Sequence, residues 1–171
     1  MATTFEIQVF DGVAFAAAGD VNLVVYASPA RLARSRWLFD RLDESTACSE
    51  IPMCGFMVIL PTADLPDAET RAENERRLRQ LRAKLRRIVT VAIGDSLRLN
   101  LIRTVMRGMF LIQGQSQVQF VASTLDEGLR YLYRDATATT PARLDVEATL
   151  RAMCARLECA PDAAAAFVRP G

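Results

Sequence analysis

A chain of 171 residues, half of them hydrophobic and a quarter charged with the signs nearly balanced, suits one packed domain and is too apolar for disorder. The formal net charge of +1 gives no bulk reason for a nucleic-acid partner or an acidic membrane. Histidine is absent, which removes the commonest general base and the commonest metal ligand. No apolar run reaches the length of a membrane span, and no basic stretch followed by an apolar one opens the chain, so a cytoplasmic protein without a membrane span is expected. Cys48, Cys54, Cys154 and Cys159 lack a CxxC spacing and read as ordinary reduced thiols, with no metal and no cofactor.

Residues 5–10, 13–17 and 21–27 read as three short strands. Asp11-Gly12 between the first two is a hairpin signal, because both central residues of a type I′ turn need positive φ. Gly19-Asp20 permits a second tight turn. Ser28-Pro29 then offers a hydroxyl N-cap followed by proline at the first helical position. On a 3.6-residue period Leu32, Ser35, Leu38, Phe39 and Leu42 share the core face of that helix. Trp37 falls nearly opposite, between Arg34 and Arg41. Two readings stand: the C-terminal segment covers Trp37, or Trp37 with Arg34 and Arg41 forms a partner-binding anchor of the residue types enriched in hot spots.

Residues 53–60 form a near-continuous apolar run, which argues a central strand buried on both faces, hence a parallel sheet with helices on each side. Residues 61–66, bounded by prolines, end it. Residues 67–87 read as a helix with carboxylates early and arginines late, a polarity that suits the macrodipole. Its apolar stripe is narrow: Ala68, Ala72, Leu78, Leu81 and Leu85. The basic cluster surrounds the helix without interleaved aromatics, so it reads as a solvated face and not a grip on nucleic acid.

Residues 88–93 are the next strand, followed by the turn Gly94-Asp95-Ser96 and a helix over 97–110. That helix should bury Leu97, Leu101, Ile102, Val105, Met106, Met109 and Phe110, leaving Asn100, Arg103, Thr104 and Arg107 to solvent. The turn sits where a strand meets a helix N-terminus, an anion-binding geometry with Ser96 as its hydroxyl, although Asp95 would cap the helix and repel an anion. A strand over 118–122 leads to a helix over 124–133 opened by the capping box Thr124-Leu-Asp-Glu127, with Leu125, Leu129 and Leu132 inward. Residues 135–142 read as a linker, and 143–159 as an extra amphipathic helix. Its stripe of Val146, Leu150, Met153, Cys154 and Leu157 must be buried against the domain or against a second copy. Residues 160–171 read as a frayed, flexible tail.

At residues 88–132 the pattern becomes familiar. Ile88-Val-Thr-Val-Ala-Ile-Gly-Asp-Ser, the helix after it, and Val118-Gln-Phe-Val-Ala-Ser-Thr-Leu-Asp-Glu-Gly-Leu together resemble the C-terminal half of STAS domains, the SpoIIAA-like, anti-sigma-factor-antagonist family. Ser123 to Leu129 fits that family's S-x-x-E-A-L helix with one insertion. The resemblance covers residues 5–134 and implies a mixed sheet flanked by helices, with an N-terminal hairpin, to which the C-terminal helix is an addition. It further implies a non-enzymatic regulatory or scaffolding module of bacterial signalling that binds a protein partner or itself as a homodimer. One departure matters. The family's Asp-Ser/Thr-Ser-Gly turn, whose hydroxyl is phosphorylated, is replaced by Leu60-Pro-Thr-Ala-Asp-Leu-Pro-Asp67, where Thr62 is the only hydroxyl. An alternative is a small-molecule domain holding a lipid or nucleotide in its apolar interior or at the helix N-termini near Thr62 and Ser96. The carboxylates Asp64, Asp67 and Glu69 are accounted for by their place at a helix N-terminus and need no acid–base role.

Overall fold

The computed structural model describes residues 5–94, 97–112 and 118–157. Strands β1 (Glu6–Phe10), β2 (Val13–Ala18) and β3 (Val21–Tyr26) come first. Between β1 and β2, Asp11 and Gly12 have φ of 44° and 81°, both left-handed as a type I′ turn requires. The strands therefore pair antiparallel with Phe10 opposite Val13. There follow α1 (Leu32–Ala47), β4 (Met53–Ile59), α2 (Ala68–Leu81), β5 (Leu85–Ala92), α3 (Leu97–Ile112), β6 (Gln119–Ala122), α4 (Leu125–Leu132) and α5 (Arg143–Arg156). All six strands join one sheet in chain order, the first two joints antiparallel and the other three parallel. The expected α/β layout is present: a mixed sheet with an N-terminal hairpin, helices on both faces and an added C-terminal helix. No helix of the described residues is long and apolar enough to cross a membrane.

The apolar run of β4 lies inside the sheet, parallel to β3 and β5. Its residues divide between two cores. Cys54, Phe56 and Val58 are buried on the side covered by α4 and α5, while Met53, Met57 and Ile59 face the side covered by α1 and α2. One cross-strand row runs through all six strands: Ile7, Ala16, Leu23, Phe56, Val89 and Phe120. Such rows of touching side chains are the unit of sheet stability. The stripe of α5 settles on this same face, where Val146, Leu150, Met153 and Cys154 are buried with Ala14, Ala16 and Leu23. The alanines of β2 leave the room that a helix needs.

Several local expectations are corrected. Arg31, not Ser28, stands at the N-cap of α1, without a side-chain cap, and Pro29 lies ahead of the helix with its carbonyl accepting from Arg34 Nη1 at 2.5 Å. The helix α2 stops at Leu81, and after a single 3-10 turn β5 begins at Leu85, so Arg86 and Arg87 are strand residues. Tertiary partners decide this against helical propensity. Arg86 reaches Asp20 at 2.7 Å, while Arg87 lies 4.4 Å over the Tyr131 ring and pairs with Asp135. Ala68 and Ala72 of the expected α2 stripe are exposed and Thr70 is buried in their place, while Leu81 is buried as expected.

In α3, Leu101 is exposed and Arg103 is buried, the reverse of the expectation. The Arg103 guanidinium donates to the carbonyls of Ala92 and Gly94 and to Asn100 Oδ1, closing off the end of β5. Ile102 and Leu99 are buried with Ala92, and Met106 packs beside them. The side chains of Leu97, Val105, Met109 and Phe110 lie outside the described residues, as do Asp95, Ser96 and residues 158–171 with Cys159.

The capping box of α4 forms with one shift. Thr124 Oγ1 accepts from the Glu127 amide at 3.2 Å, and the Glu127 carboxylate accepts from the Ser123 amide at 2.8 Å. Leu129 and Leu132 are buried as expected, and Leu125 packs at the margin. Gly128 brings α4 against the sheet: a Cβ there would lie 2.5 Å from Val91 Cγ2 and 3.2 Å from the Phe56 ring. Gly128→Ala is therefore expected to destabilise, because overpacking costs roughly 1–3 kcal/mol against about 1 kcal/mol of gained helix preference. A calorimetric melting temperature at or above that of the parent would show that α4 can lift away freely.

Candidate functional site

The seam between the hairpin and α1 carries the residues expected to bind a partner, in three different roles. Arg34 is buried. Its guanidinium pairs with the Asp11 carboxylate at 2.8 Å and donates to the Pro29 carbonyl, so it clamps the hairpin tip to the start of the helix. The Arg34 hydrogen bond also holds the Asp11 carboxyl below the usual carboxylate range. Trp37, one turn on, is half-buried and stacks on Phe10 with ring centroids 5.5 Å apart and planes inclined by 21°. Its cover comes from β1, while α5, the C-terminal helix, packs on the opposite face of the sheet. Arg41, another turn on, points toward the sheet, pairing with Glu44 at 2.5 Å and approaching Gln8 Oε1 at 3.5 Å.

Chain alternation explains why these groups meet. Gln8 and Phe10 are two apart on β1 and share the face over which α1 lies. Val9, between them, points to the other side and is 43% exposed, and Phe10 keeps 38% of its surface in solvent. Sequence reasoning found Trp37 but not Phe10. The available signal was the hairpin register, since a residue directly before Asp-Gly lies at the closing pair and must take one face of the sheet.

Beyond Arg41 the seam opens into a groove of about 560 Å³, floored by Gln8, Phe15, Ala17 and Met53 and walled by Arg41 and Ser45. Ser45 Oγ donates to Asn22 Oδ1 at 2.7 Å, fixing that wall. Cys48 also lines the groove and is exposed.

Thr62, the only hydroxyl in the loop after β4, is exposed, and its Oγ1 donates to the Ala27 carbonyl at 2.5 Å. Ser96, the other hydroxyl of interest, lies outside the described residues. Asp67 accepts from the Thr70 amide at 2.8 Å as the cap of α2, and that bond lowers its carboxyl below the usual range. Two arginines of α2 are drawn into ion pairs. Arg76 meets Glu73 at 2.7 Å, and Arg77 meets Asp40 and Asp43 at 2.6 and 3.0 Å, tying α2 to α1.

A second polar cluster was invisible in the sequence. Asp20, wholly buried, accepts at Oδ2 from Arg86 at 2.7 Å and from the hydroxyls of Thr137 and Thr140 at 3.0 Å each. Arg86 also approaches Cys54 Sγ at 3.1 Å, and burial pushes that thiol up. Thus residues 136–142, rich in threonine, lie against the β2–β3 turn. Among the described residues no three His, Cys, Asp or Glu side chains gather as a metal site.

No family model matches the chain, and no curated protein matches it. Among solved structures it is similar to the anti-sigma factor antagonist SpoIIAA in its unphosphorylated form, at 10% identity and a TM-score of 0.39. The match covers 78% of this chain and 100% of that one. At this identity and score the match assigns no role to any residue.

Proposed function

We propose that the chain is a regulatory or scaffolding module that works by binding protein, with no catalytic role, and that its contact surface is the seam around Phe10 and Trp37. The observation that carries this reading is the half-exposed Trp37–Phe10 stack, held on a sheet edge by the buried Arg34 clamp. A rigid aromatic pair offers a partner a large apolar contact at little entropic cost, and Trp is the residue type most enriched in hot spots. Arg34 serves as a support for that surface, and Arg41 with Glu44 supplies its polar rim.

Trp37→Ala is expected to reduce capture of a protein partner by about thirtyfold or more, equivalent to the roughly 2 kcal/mol of a hot-spot residue. Its melting temperature should fall only slightly, because Trp37 is half in solvent. The check is quantitative capture from a lysate of the source cells on immobilised parent and variant, with melting curves of both. Equal capture by the two sinks the surface, and an unfolded variant shows that Trp37 belongs to the core.

The groove favours a second reading, binding of a lipid or nucleotide, since about 560 Å³ lies within the range of ligand pockets. A thermal-shift screen decides, because a ligand at a hundredfold its Kd adds about 2.7 kcal/mol. A flat screen retires it.

A further inference from the structure

The trough between α1 and β1 has two unlike ends. Along α1, Trp37, Arg41, Ser45 and Cys48 follow at helical spacing, and along β1 Phe10, Gln8 and Glu6 share the side that faces them. The Trp37–Phe10 stack closes one end, and the approach of Arg41 to Gln8 at 3.5 Å marks the middle. The next step along each element brings Glu6 level with Ser45, at the groove. Both walls are held: Arg156 of α5 donates from the far face of the sheet to the Ile7 carbonyl at 2.8 Å, and Ser45 is fixed on Asn22.

The charge around the groove is one-sided. Arg41, the cation on its wall, is paired with Glu44 at 2.5 Å. Glu50 on its rim and Glu6 beside it are exposed, and neither has an ion pair among the described residues. The helix α1 also ends here, capped at Cys48 with no basic residue in its last turn, so the negative end of its dipole is uncompensated. Beneath these charges the floor of Phe15, Ala17 and Met53 is apolar. An apolar floor under an acidic rim is the complement of a lysine or arginine side chain, which lays its methylene stem on carbon and keeps its charged head in water. The phosphate of a nucleotide or the carboxylate of a fatty acid would be repelled at the same rim.

We propose that the groove takes a lysine or arginine side chain from an extended segment of the protein partner, while an apolar residue of the same segment covers the Trp37–Phe10 stack. The inference rests on the reading of that stack as a protein-binding surface and names what the partner brings to it. Trp37 and Ser45 are eight residues apart on the helix, about 12 Å, which an extended chain spans in about four residues. The apolar anchor and the basic residue of the partner are therefore about four positions apart. That even spacing also sets them on one side of an extended chain.

A phage-displayed library of random decapeptides, selected on the immobilised full chain, tests it. Recovered sequences are expected to hold a lysine or arginine about four positions from an aromatic or large aliphatic residue, a spacing that charge attraction alone does not produce. One recovered peptide, made with a fluorescent label, is then titrated against parent and variants by anisotropy. Glu50→Lys, at an exposed position, should keep the parent melting temperature, weaken binding about tenfold and flatten its salt dependence. Recovered sequences without that basic residue, no enrichment over the bare support, or equal binding by parent and Glu50→Lys overturn the proposal. Trp37→Ala separates the two readings. Binding lost in Trp37→Ala but kept in Glu50→Lys removes the cation from the groove and leaves the stack as a contact surface, whereas binding kept in Trp37→Ala removes both.

Discussion

Phe56→Ala should cost about 3–5 kcal/mol of stability, the usual loss for a fully buried aromatic truncated in place. Phe56 is 0% exposed and stands at the middle of the row that crosses all six strands, between Leu23 and Val89, with its ring edge close beneath Gly128. Leu23 and Val89, its neighbours in the row, are held by backbone ladders and cannot move far into the space. Against a typical total of roughly 5–15 kcal/mol, the loss is a large fraction, and the melting temperature should drop on the order of ten degrees. Urea unfolding of parent and variant measures it. A loss below about 1 kcal/mol would mean that β4 is not enclosed as described.

Asp20→Ala should cost about 2–3 kcal/mol, somewhat under the figure for a fully buried pair that loses one partner, because the Arg86 side chain keeps 26% of its surface in water and can rehydrate. The variant removes the acceptor shared by three donors: Arg86, Thr137 and Thr140. Its signature should be local as well as global. Amide exchange should quicken across residues 136–142 and the start of α5, which the carboxylate holds against the β2–β3 turn. Asp20→Asn, which still accepts from both hydroxyls, should lose less. Equal losses for the two would show that the threonine bonds contribute nothing and the ion pair everything.

The parts of the fold legible in the sequence are those whose cause is local. Asp11-Gly12 encodes its turn through the φ angles that only such residues reach cheaply, and Thr124 with Glu127 encodes a helix start through side chains that reach only their neighbours. The burial of Ser35, Leu38, Phe39 and Leu42 follows from helical period alone. Hidden from view were residues whose conformation is settled by a distant partner. Arg86 and Arg87 continue a helical charge run on paper and become strand through Asp20, 66 residues away, and Asp135, 48 away. Arg103 fits a wet helix face until two strand-end carbonyls claim it. The site divides the same way. Trp37 stood out by residue type, while its stacking partner Phe10 lies across a tertiary contact that periodicity along one element cannot reveal.

The contact between Arg156 and Ile7 joins positions 149 apart, and with it the fifth helix roofs the first three strands. A chain made from its amino end therefore emerges with Ala14, Ala16 and Leu23 bare on one side, and keeps them so until nearly the whole domain has left the ribosome. Pairing of the early strands can run ahead, but the nascent sheet stays sticky until that roof arrives. Heat-shock chaperones should accordingly dwell on translation intermediates lacking the fifth helix and release once it is out.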